Sequence, residues 1–119
     1  MEIVSFEIAT KLKAKGFDYP CIGHYVNNQL YVAHYQNAFH SDNNESVDAP
    51  AISQVLKWLR KKKNIFVVTF IADDSDAPLT YEIYLGTECL LTHHGEYFTL
   101  QEWDKCNLVG IEYVLNNLI

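Results

Sequence analysis

Hydrophobic positions along this chain change their period several times, and each change marks an element. Ile8, Ala9 and Leu12 form one helical stripe, Ser5 can cap it, and Lys11, Lys13 and Lys15 precede Gly16 as a stop signal. A first helix is predicted to about Lys15. From Cys21 to Tyr35 the chain is rich in Tyr, Val and Ile and is interrupted at Asn27-Asn28-Gln29, residues that tolerate the positive φ of a tight turn. This predicts a β-hairpin.

Phe39 to Val47 reads as a polar exposed loop, with Asp48 before Ala49-Pro50 marking the next helix start. Ile52, Val55, Leu56 and Leu59 then recur at helical spacing, with Trp58 at the flank. Arg60-Lys61-Lys62-Lys63 complements the dipole of the last turn, and Asn64 suits the left-handed position that ends it.

Ile65 to Ala72 is almost continuously apolar and β-rich, as expected of a central strand buried on both faces. After the polar turn Asp73-Asp74-Ser75-Asp76-Ala77-Pro78, Leu79, Tyr81, Ile83 and Leu85 alternate with Thr80, Glu82, Tyr84 and Gly86, which predicts a half-buried strand. A short strand over Glu88 to Thr92 follows. Thr99-Leu100-Gln101-Glu102 reads as a capping box opening a last helix to about Leu118, with Leu108, Ile111, Leu115 and Leu118 as its inward stripe and Trp103 near its start.

Hairpins interspersed with helices imply an α+β fold. The expected arrangement is a single domain over residues 1–119, with a four- or five-stranded antiparallel or mixed sheet and three helices packed mainly on one face. At 119 residues and 49% hydrophobic, the chain can bury roughly two-thirds of its unfolded surface without a staple.

Gly16-Phe17-Asp18-Tyr19-Pro20-Cys21, the run Gln54-Val55-Leu56-Lys57-Trp58-Leu59-Arg60-Lys61-Lys62 after Ala49-Pro50, Asn64-Ile65, and the ending from Gly110-Ile111 to Leu118-Ile119 together resemble a family of small proteins of Bacteroides prophages and related mobile elements. The resemblance spans nearly the whole chain. It implies a bacterial or phage origin and a cytoplasmic setting, and it brings with it no activity, cofactor or catalytic residue.

Charge changes the picture most. Eight of the nine Lys and Arg residues precede Asn64, and none lies between Asn64 and Asp104. Residues 1–63 carry a net +2 and residues 64–119 a net −8. Such polarity can steer a partner or orient self-association. The overall charge of −6 argues against nonspecific nucleic-acid binding, which needs a continuous basic surface. Cys21, Cys89 and Cys106 are odd in number and lack paired spacing, so free thiols in a reducing compartment are expected. No apolar run approaches a membrane span, and the start shows no signal peptide, which together predict a cytoplasmic, soluble protein.

Four chemistries can be drawn from the remaining residues. With Asn27-Asn28 as the turn, Cys21 falls opposite His34, a pairing that could activate a thiolate, yet no oxyanion hole or third group is visible. Cys89 with His93 and His94, joined by His24, His34 and His40, could offer metal ligands, but zinc sites usually show two close pairs. Asp73-Asp74-Ser75-Asp76 opens like a calcium loop but lacks its Gly and distant Glu. The basic end of the second helix, with Arg60 and Lys61, could instead contact phosphates. The reading favoured is a non-enzymatic protein-interaction domain without a cofactor, binding a protein partner that carries a basic patch through Asp73, Asp74 and Asp76, with homo-oligomers possible; a Cys21/His34 enzyme and a nucleic-acid accessory protein are the alternatives.

Overall fold

The computed structural model describes residues 2–32 and 46–119 and shows an α+β fold. Its elements, in chain order, are α1 (Phe6–Ala14), β1 (Gly23–Val26), β2 (Gln29–Val32), β3 (Ser46–Ala49), α2 (Ile52–Trp58), β4 (Ile65–Ile71), β5 (Leu79–Leu85), β6 (Glu88–Leu91) and α3 (Trp103–Asn117). Two units divide the chain: residues up to Val55 together with Ile119, and Leu56–Leu118. The strands form two three-stranded sheets, β2-β1-β3 and β4-β5-β6, with every pairing antiparallel. One sheet of four or five strands was expected. Ser46–Ala49 adds a strand that was not expected, since it pairs with β1 instead of forming a loop and helix cap.

In the first unit Ser5 caps α1 by accepting from the Ile8 amide at 3.3 Å, and Ile8, Ala9 and Leu12 are its buried stripe, as their spacing predicts. Asn27 and Asn28 adopt φ of 52° and 65°, so the β1–β2 turn has the mirror-image geometry that matches strand twist. Asp48 lies in the ladder opposite His24 and is buried, and α2 begins later, at Ile52. There the Gln54 carboxamide accepts from the Ala51 amide at 3.0 Å, so a side chain within the first turn serves where Asp48 was expected to. Tyr25 donates its hydroxyl to the Val4 carbonyl at 2.8 Å and meets Phe6 edge-on, joining the sheet to the start of α1.

In the second unit α2 widens into a π-helical turn over Leu59–Lys63, and Asn64 closes it in the left-handed conformation, φ 56°. The following sheet is centred on β5. Its Leu79, Tyr81 and Ile83 are buried, whereas β4, expected to be central, is an edge strand with Val68 40% and Ile71 62% exposed. Helix α3 covers one face, where Gly110 allows backbone to approach the sheet: a Cβ there would stand 2.6 Å from Val67 Cγ1. Beside it Thr69 donates its hydroxyl to the buried Asn107 carboxamide at 2.7 Å. The inward positions of α3 are Cys106, Asn107, Gly110, Ile111, Val114 and Leu115, so the stripe is centred differently from the leucines chosen by spacing, and Trp103 is exposed. The helix is preceded by a 3₁₀ turn at which the Glu102 carboxylate accepts from the Thr99 amide at 2.9 Å, the expected reciprocal cap.

Candidate functional site

The β4–β5 connection and the segment after β6 shape a pocket of about 420 Å³ in the second unit. Its wall includes Phe70, Asp73, Glu82, Thr92, His93 and Tyr97, and no Lys or Arg lines it. Geometry of the rim comes from two departures from regular sheet. On one side Asp73 Oδ1 accepts from the Ser75 amide at 3.0 Å and the Ser75 hydroxyl at 2.6 Å, which holds the turn open and keeps the Asp73 carboxyl below its ordinary pKa. On the other, seven steps along the edge from Leu91 to Phe98 face only four along β5 from Ile83 to Leu79. The surplus residues loop outward, with His93 and Gly95 at φ of 53° and 84°.

His94 closes the gap this leaves in the ladder. Its Nδ1 accepts from the Glu96 amide at 3.1 Å, so its Nε2 carries the proton and donates to the Tyr81 carbonyl at 2.8 Å. The imidazole also stacks on the Tyr81 ring, with centroids 4.1 Å apart. Both nitrogens are thus committed to backbone. Glu82, on the pocket wall, accepts from the hydroxyls of Thr92 and Tyr84, and these bonds hold its carboxyl below the ordinary carboxylate range, so it is anionic at neutral pH.

The structure places the residues singled out in the sequence as follows. Asp73, Asp74 and Asp76 are exposed on the β4–β5 turn, with Asp73 reaching the pocket. Arg60 and Lys61 are exposed in the π-helical turn and do not line it. Cys21 is fully buried, its thiol donates to the Tyr19 carbonyl at 3.2 Å, and burial, followed by the nearby Asp48 charge, pushes it up to about 12. That is the reverse of thiolate activation. His34 and His40 lie outside the described residues.

Cys89 is exposed and points its thiol to the Leu91 carbonyl at 3.6 Å. Among the described residues no group of three His, Cys, Asp or Glu side chains could hold a metal ion. Cys21, Cys89 and Cys106 are free thiols, and no helix among the described residues is long and apolar enough to cross a membrane.

Glu82, Phe70 and Tyr97 were not singled out by sequence reasoning. Glu82 carried the available signal, as a carboxylate on the polar side of an alternating strand. A second cavity, of about 290 Å³, lies in the first unit between Leu12, Lys13, Phe17, Asp18 and Asp48. No protein-family model, curated protein or solved structure matches the chain.

Proposed function

We propose that the protein is a non-enzymatic interaction domain that binds a basic segment of a protein partner on the acidic rim of its second sheet. The observation that supports this is the composition of the pocket: the Asp73 and Glu82 carboxylates stand with the aromatic rings of Phe70 and Tyr97, no Lys or Arg lines the wall, and Asp74 and Asp76 extend the acidic surface beside it. An ammonium or guanidinium group meets charge and π-faces there together. The upward shift of Cys21 weighs against the cysteine-enzyme alternative. The resemblance to prophage proteins agrees with a cytoplasmic factor that meets proteins of a bacterial host.

Fluorescence anisotropy with labelled Lys- and Arg-rich peptides tests the reading. Binding is expected to weaken with salt, because exposed charges are screened over about 8 Å at physiological ionic strength, and to be lost in an Asp73→Asn, Asp74→Asn, Asp76→Asn variant that stays folded. Equal binding of acidic peptides, or indifference to the triple substitution, would sink it. Binding of a single-stranded oligonucleotide that disappears on replacing Arg60 and Lys61 with Ala would favour the nucleic-acid reading in its place.

A further inference from the structure

Strand β4 leaves a row of backbone groups open. Leu79 exchanges both backbone hydrogen bonds with Phe98, so it turns away from β4, while the Ala72 amide donates to the Pro78 carbonyl at 2.8 Å. In an antiparallel ladder these roles alternate. Phe66, Val68 and Phe70 therefore bond to β5, and the N–H and C=O groups of Ile65, Val67, Thr69 and Ile71 point to the outer edge, where no described residue pairs with them. Edge strands are ordinarily protected by a charge, a proline, a bulge or short length. Ile65-Phe66-Val67-Val68-Thr69-Phe70-Ile71 has none of these in seven residues, and its pairing with β5 is unbroken.

We infer that this edge pairs with the same edge of a second copy of the chain, antiparallel about a two-fold axis at Val68, to make a six-stranded sheet. The inference rests on the reading of the acidic turn as an interaction surface and names an occupant for it. Self-pairing about Val68 sets Ile65 opposite Ile71 of the second copy, Phe66 opposite its Phe70 and Val67 opposite its Thr69, so every outward donor meets an outward acceptor. Charge fits the same register. Each β4 strand begins just after Arg60-Lys61-Lys62-Lys63 and ends just before Asp73-Asp74-Ser75-Asp76, so antiparallel pairing lays the basic end of each copy beside the acidic end of the other. Parallel pairing would set like charges together. The charge segregation around Asn64 thereby acquires a role in choosing strand direction.

Site-directed cross-linking of the full chain, in a Cys89→Ser background, tests this together with analytical ultracentrifugation. Val68→Cys is expected to give a disulfide-linked dimer on mild oxidation, because directly opposed non-hydrogen-bonded residues bring their Cβ atoms close enough for a disulfide. Ile71→Cys, though more exposed, should not link, since its partner is Ile65. Val68→Lys should abolish the dimer while leaving the circular dichroism spectrum and peptide binding of a folded monomer. The Asp73, Asp74 and Asp76 to Asn variant should weaken dimerisation at low salt and lose that difference at high salt. A native chain that sediments as a monomer at all concentrations would overturn the inference, and basic-peptide binding by that monomer would leave the proposed function standing. Equal cross-linking from positions 68 and 71, or a dimer indifferent to Val68→Lys, would also overturn it.

Discussion

The two three-stranded sheets assign burial in opposite ways to what their strands suggest. In the first, Ser46-Val47-Asp48-Ala49 is half polar in composition, yet Ser46, Asp48 and Ala49 are buried. In the second, Ile65–Ile71 is apolar or Thr throughout, yet it forms an edge, and only its first residue is fully buried. Composition reports what a strand can tolerate against its faces. Position in the sheet is decided by neighbours, and among the described residues this apolar strand is bonded along one side only.

This contrast can be tested first at its largest effect. Ile83 is fully buried in the central strand, so Ile83→Ala should cost about 2–5 kcal/mol in urea denaturation, through lost transfer energy and a cavity. Its ladder partner Val67 is only half-buried and should cost less. Equal losses would mean that centre and edge do not differ as described. Next, Gly110→Ala places a methyl 2.6 Å from Val67 Cγ1 and 3.2 Å from the Tyr81 ring, an overpacking worth about 1–3 kcal/mol. Combining it with Val67→Ala should recover part of that loss. If the two losses simply add, helix and strand do not touch there.

A third prediction concerns alkaline pH. The Cys21 thiol rises from 9.0 to about 12 and the Tyr81 hydroxyl from 10.0 to about 12, burial being the largest cause for both. The folded chain thus binds these protons more tightly than the unfolded chain does. Their contribution to stability is complete below about pH 9 and declines as pH climbs toward 12. Denaturation midpoints measured across that interval should fall, and less steeply in Cys21→Ala, where a slope identical to that of the native chain would refute the assignment. The smallest effect is expected at Ile71, 62% exposed, where Ile71→Thr should change monomer stability by about 0.5 kcal/mol or less.

The sequence was most legible where one local rule sufficed. Asn27-Asn28, the stripe of Ile8, Ala9 and Leu12, the left-handed Asn64 and the Thr99–Glu102 cap each follow from residue type and spacing within a few positions. It was least legible where distant residues decide. Nothing local marks Ser46–Ala49 as the partner of β1, because its pairing is set by residues twenty or more positions away, and its Asp-Ala-Pro sequence imitates a helix start. The acidic turn of the candidate site was visible as a polar run ending in Pro78. Its pocket was not, since Glu82 and Tyr97 come together only through the outward loop after β6.

His94 gives that loop a meaning in terms of chain length. A sheet edge normally ties residue number on one strand to residue number on its neighbour, so an insertion must shift every pair beyond it. Here a single ring, with one nitrogen donating to Tyr81 and the other accepting from Glu96, carries the ladder across the surplus residues and lets Phe98 rejoin Leu79 in step. The rim can therefore carry its surplus residues without shifting the pairs of the sheet behind it. The length of the loop is thereby uncoupled from the register of the strands that support it.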